Sequence, residues 1–182
     1  ANIKDLYLVK TDKYVMDSKI ISTDKEFKFN CIVMNYHSSV DWYDNGRSPL
    51  INWRLNKEFC NLVIKIADLN PDVNFLIKSK NYKWIKIPFF KETVNNFDQR
   101  KNIKILMDQK KWTPVETLKA GDFAISCTTS LAEEMLLIGK PVIIYDGYNG
   151  FPRKVFDYGD KIVATNYNEI LKKLKLIKND LN

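Results

Sequence analysis

AGDFAISCTTSLAEEMLLIGKPVIIYD, residues 120–146, decides how the rest of the chain is read. After Gly121 comes an apolar run over residues 122–127, too short for a helix, which reads as a buried strand. Thr128, Thr129 and Ser130 form a hydroxyl cluster, residues 131–138 have helical spacing, and Gly139-Lys140-Pro141 stops that helix before a second strand at residues 142–145. The hydroxyls therefore stand at a helix N-terminus. Backbone N–H groups without intrahelical partners and the positive end of the helix dipole make that position suited to a phosphate. A ligand-free reading stands beside it: Ser130-x-x-Glu133 is a capping box, whose two side chains satisfy each other's backbone donors. Glu134 has no such duty and is the better candidate to meet a ribose hydroxyl.

Working outward, a strand-helix pattern repeats. Residues 29–35 form an apolar strand candidate, and residues 52–69 carry Leu55, Phe59, Leu62, Val63, Ile66 and Leu69 at the three-and-four spacing of an amphipathic helix. Asn70-Pro71-Asp72 ends that helix before a strand at residues 73–77. Residues 81–100 are mixed and aromatic-rich, with a helix near residues 91–98. A third strand follows at residues 103–107. Thr113 is placed to cap a short helix over residues 114–120, with Pro114 at its first position. The opening stretch supplies strands four and five, residues 161–165 a sixth, and residues 167–176 a closing helix. Strands separated by helices predict an α/β fold, a Rossmann-like doubly wound parallel sheet of about six strands. Residues 28–182 read as that domain. Residues 1–27, which alternate apolar and charged side chains without a long period, read as a linker or interdomain segment.

The chain of 182 residues is large enough for one substantial core, and no apolar run reaches the length of a membrane span. Its net charge of +7 attracts anions, nucleotides and nucleic acids alike, without choosing among them. Cys31, Cys60 and Cys127 lie inside predicted elements with no metal-type spacing, so reduced, buried thiols in a cytoplasmic protein are the simplest account. Peripheral association with the inner face of a membrane is compatible with the basic surface. The chain starts at Ala1 and reads as a piece of a longer protein.

Right-handed crossovers bring the strands' carboxyl ends to one edge of the sheet, where ligands bind. His37, the chain's single histidine, opens the loop HSSVDWYDNGRSP after the first strand and can act as a neutral donor or as a cation near a diphosphate. As the one candidate for a catalytic role it is weighed against a purely structural histidine. Arg47 in the same loop suits bidentate phosphate contact. Lys78 and Lys80 after the second strand would point to one side if the strand continues and neutralise a diphosphate; as two of 29 basic residues they are equally readable as solvated charges. Trp112 is placed to pack a nucleobase or to cover the edge of the core. The loop DGYNG at residues 146–150 permits close backbone approach or a lid, and turn chemistry explains its glycines as well. No P-loop, G-x-G-x-x-G, zinc cluster or G-x-S-x-G elbow is present, which removes the usual support for kinase, nicotinamide oxidoreductase and hydrolase readings.

The stretch CTTSLAEEMLLIGKPVIIYD resembles the nucleotide-binding C-terminal half of two-domain, B-type glycosyltransferases and of UDP-N-acetylglucosamine 2-epimerases. MNYHSSVDWYDNGRSPLINWRLNKEF and VNFLIKSKN further resemble bacterial surface and capsular polysaccharide biosynthesis proteins of that fold, so that the likeness covers residues 28–165. It implies that Thr128, Thr129 and Ser130 hold the diphosphate of a nucleotide-sugar donor, that Glu134 takes the ribose hydroxyls, and that no metal or cofactor is needed beyond the donor substrate. The epimerase-type turn has paired glycines where this chain has Thr129 and Ser130, and the histidine loop stands where the family has a glycine-rich one. The resemblance also implies an N-terminal acceptor domain that this chain does not encode, so the chain would bind a donor without transferring its sugar alone. Two other readings remain: a transferase of CDP-activated glycerol or ribitol phosphate, and a noncatalytic basic module for acidic glycans or nucleic acid, to which the aromatic-basic interleaving of residues 81–90 gives mild support.

Overall fold

A computed structural model describes residues 26–35, 49–127, 129–147 and 161–182. Six strands form one sheet: β1 (Phe29–Met34), β2 (Val73–Lys78), β3 (Ile103–Ile105), β4 (Phe123–Ser126), β5 (Val142–Tyr145) and β6 (Val163–Ala164). Their order is β3-β2-β1-β4-β5-β6, and every pairing is parallel. This is the expected Rossmann-like sheet, with the order reversing between β1 and β4.

Strand side chains alternate between two cores. Cys31, Val33, Phe75, Ile77, Phe123, Ile125 and Ile143 face one cluster, completed by Phe59, Val63 and Ile66 of α1 (Pro49–Leu69), Phe97 of α2 (Lys91–Asp98) and Leu174 of α5 (Tyr167–Leu181). Ile32, Leu76, Ala124 and Ile144 face the other, closed by Leu118 of α3 (Pro114–Ala120) and Ala132 and Met135 of α4 (Ser130–Leu137). A period of two with both faces apolar is what a sheet covered on both sides requires.

Helix ends follow local rules at some places and depart from them at others. Thr113 caps α3 as expected, its hydroxyl accepting from the Glu116 N–H at 3.3 Å with Pro114 in the first turn. Gly139 takes φ 79° after α4, where its N–H reaches the Leu136 carbonyl and that of Lys140 reaches Met135, the paired bonds of a Schellman stop. The helix over residues 52–69 begins earlier, at Pro49, and its buried stripe runs through Asn56, Phe59, Cys60, Val63, Ile66 and Ala67. Leu69, expected on that stripe, is 62% exposed, because it lies roughly 130° around the helix from the stripe's centre at 3.6 residues per turn.

The capping box at Ser130 and Glu133 does not form. Thr129 is the N-cap, one residue earlier, so the third helical position falls on Ala132 and Glu133 is left exposed. The reciprocal arrangement occurs instead at α5, where Asn166 Oδ1 accepts from the Glu169 N–H and the Glu169 carboxylate accepts from Asn166 Nδ2 and the Thr165 N–H.

Candidate functional site

The strand order reverses between β1 and β4, and doubly wound sheets bind their ligands at such a reversal, beyond the carboxyl ends of the strands. Ser126 pairs in register with Met34, and the Cys127 N–H donates to the Met34 carbonyl at 3.1 Å, so the connections leaving these strands start side by side. From β4 the chain reaches α4 in three residues. Thr129 adopts extended backbone and its Oγ1 accepts from the Leu131 N–H at 3.4 Å, while the Ala132 N–H bonds back to the Thr129 carbonyl. Among the described residues the Ser130 N–H has no partner, and the Ser130 side chain is exposed. One turn on, Glu134 is half-buried, its carboxylate also without a partner among the described residues. His37, Arg47 and Thr128 lie outside the described residues.

Polar groups that the sequence reading passed over gather at the same end. Asn35, directly after β1, accepts at Oδ1 from the Ser79 hydroxyl at 2.7 Å, and Ser79 in turn accepts from the Trp84 indole at 3.1 Å. Asn35 Nδ2 is buried and, among the described residues, meets no acceptor in hydrogen-bond geometry. Burial pushes the pKa of the nearby Cys60 thiol up to about 12, and the Asn35 side chain draws it partly back. Ser126 Oγ, on the α4 face of the sheet, is likewise buried without a hydrogen-bond partner among the described residues. Tyr145 at the end of β5 stacks on Phe59, centroids 5.9 Å apart. Burial first, then Cys127, Glu58 and Asp146 nearby, raises its phenol above the ordinary value. A single strand-end Asn, Ser or Tyr has no signature in one sequence; only the parallel register gathers them.

Lys78 and Trp112 are brought together, though by the backbone: the Lys78 ammonium donates to the Trp112 carbonyl at 2.6 Å, tying the end of β2 to the loop before α3. Burial lowers the Lys78 pKa. The Trp112 ring packs on the second core with Lys111 Nζ 5.6 Å from its centroid, the edge-covering arrangement. β2 stops at Lys78, so Lys80 does not continue the strand; it is exposed in a bend. Among the described residues no group of three or more His, Cys, Asp or Glu could hold a metal ion, and no helix is long and apolar enough to cross a membrane. All three cysteines are buried, and none forms a disulfide.

Neither a family model nor a curated protein matches the sequence. Among solved structures, a mutant of the O-GlcNAc transferase of Thermobaculum terrenum superposes with a TM-score of 0.50 at 16% identity, over 88% of this chain and 31% of that one. The likeness is one of fold. The six-stranded parallel sheet with its flanking helices is a Rossmann-like unit similar to that of a B-type glycosyltransferase. This chain spans about a third of the length of that protein.

Proposed function

We propose that this chain is the donor-binding unit of a glycosyltransferase of bacterial surface or capsular polysaccharide biosynthesis. The observation that carries the reading is the start of α4: a capped helix N-terminus with an unpartnered Ser130 N–H and a partner-free Glu134 one turn on, beside the β1–β4 order reversal. Helix N-termini hold anions through bare amides and dipole, and ligands of doubly wound sheets bind at such a reversal. In this reading Thr128, Thr129 and Ser130 bind the donor diphosphate and Glu134 accepts from the ribose hydroxyls. His37 and Arg47, in the loop leaving β1, supply positive charge to the departing nucleoside diphosphate. Such groups accelerate transfer when they meet the charge as it develops on the leaving group. Transfer itself requires an acceptor held against the donor, which we assign to a partner domain.

Calorimetric titration of the full-length protein with UDP, CDP, GDP and the corresponding sugars tests the reading. One nucleotide should bind saturably, and Glu134→Ala should weaken it roughly tenfold, about 1.4 kcal/mol, without changing the melting temperature. Absence of saturable binding by every nucleotide would overturn it. A strong preference for CDP would move the assignment to a polyol-phosphate transferase.

A further inference from the structure

A cavity lies on the flank of the molecule, between α1 and α2. It has a volume of about 460 Å³, within the range of small-ligand sites, and is open to solvent. Its walls are Lys57 of α1, Phe89 of the 3₁₀ turn at Pro88–Phe90, and Glu92, Asn95 and Gln99 at and just beyond α2. Glu92, Asn95 and Gln99 are spaced three and four apart and so share one helix face.

We infer that this groove binds a neutral oligosaccharide. Phe89 is 40% exposed, and Trp53, one turn before Lys57, lies with its ring centroid 6.1 Å from that of Phe89. The partly exposed Phe89 ring, tilted 36° to that of Trp53, offers the groove an apolar surface that the C–H face of a pyranose matches. Lys57 holds the ring from one face, its ammonium 5.0 Å from the Phe89 centroid and 3.4 Å from the Glu92 carboxylate. Around it, the exposed amides of Asn95 and Gln99 make no side-chain hydrogen bond among the described residues. Each offers two donors and an acceptor, the mixed set that sugar hydroxyls, donors and acceptors themselves, require.

The charge balance argues against other occupants. Lys57 is paired with Glu92, leaving Lys91 as the one uncompensated cation of the lining, whereas a nucleic acid strand calls for several along its backbone. Phe89 is the lining's one aromatic residue, and most of the others are charged or amide-bearing, unlike the apolar centre of a protein interface. The inference uses none of the residues assigned to the donor.

The test is a titration of the isotope-labelled chain with cellohexaose, maltohexaose and chitohexaose into the millimolar range. Side-chain amide resonances of Asn95 and Gln99 and the Trp53 indole resonance are followed by nuclear magnetic resonance. At least one sugar should shift all three saturably. Phe89→Ala should abolish the response, and the doubly substituted Asn95→Ala, Gln99→Ala chain, altered only at exposed positions, should weaken it roughly tenfold. No saturable shift with any of the three sugars, or shifts that survive both variants, would overturn the inference, as would displacement of the sugar by a DNA oligonucleotide at low salt. UDP titrated into the same sample reads the α4 end separately, so loss of nucleotide binding with sugar binding retained sinks only the donor reading, and the converse sinks only this one.

Discussion

The two ends of the sheet are built differently. At the amino end polar groups are paired across long sequence separations. The Asp122 carboxylate accepts from the Asn30 N–H at 2.7 Å, Asn74 donates to Asn30 Oδ1, Lys178 pairs with Asp72, and Arg100 holds Asp68 through two bonds of 2.7 and 2.9 Å. Lys140 donates to three carbonyls, those of Leu118, Lys119 and Gly121, and so caps the last turn of α3. Gly121 there touches β1 so closely that a Cβ would stand 2.4 Å from Ile32 Cγ1. At the carboxyl end, by contrast, Asn35 Nδ2 and Ser126 Oγ are buried without a hydrogen-bond partner of ordinary geometry among the described residues, as is Thr93 Oγ1 in the first turn of α2. Buried polar atoms are nearly always paired, so these three are exceptions to the rule that the amino end obeys. The contrast is one of pairing: among the described residues, polar groups at the amino end are matched and some at the carboxyl end are not.

Removing Lys140 is the severest way to probe this contrast. Lys140→Ala strands three carbonyls at a helix end, and chemical denaturation should show a loss of about 2–4 kcal/mol with no change in nucleotide affinity. Gly121→Ala should follow, at about 1–3 kcal/mol from overpacking against Ile32. At the opposite end the sign should change: Ser126→Ala deletes a buried hydroxyl without a partner and should leave stability within about 1 kcal/mol of the parent or raise it. A large destabilisation by Ser126→Ala would erase the contrast.

The smallest effect concerns pH. Hydrogen bonding by Arg100 holds the Asp68 carboxyl below its ordinary value. A carboxylate depressed in the folded state stabilises fully above its unfolded pKa and loses that contribution as pH falls through the folded one. Asp68→Asn should therefore lower stability at neutral pH and flatten the loss that the parent shows below about pH 4. The Asp68 side chain is half exposed to screening solvent, so the difference should stay below about 1 kcal/mol in acid titrations followed by circular dichroism.

Features that depend on neighbours in sequence were legible from residues alone. The helix at residues 91–98, the strand at residues 142–145 and the Thr113-Pro114 start of α3 fall where expected, because caps, prolines and apolar runs act over a few residues. The closing helix runs past residue 176 to Leu181, and β6 shrinks to Val163–Ala164. The start of α4 moved by one residue, and with it Glu133 lost the capping role that its spacing suggested. Lys78 shows the limit most plainly: its position after β2 was evident, but its partner, the Trp112 carbonyl, is 34 residues away. The Asn35–Ser79–Trp84 chain was invisible for the same reason.

The sequence by itself determined the alternation of strands and helices, the two-sided burial of the sheet and the hydroxyl-bearing turn before α4, since period, composition and turn chemistry are local properties. Tertiary structure alone decided which polar side chains meet. The Gly139-Lys140-Pro141 stop shows both halves: its glycine ends α4 by rules readable in sequence, whereas its lysine serves a different helix, α3, through the packing of α3 beside α4. A hydrogen bond needs its two atoms within about 3 Å, and only the folded chain brings distant residues that close.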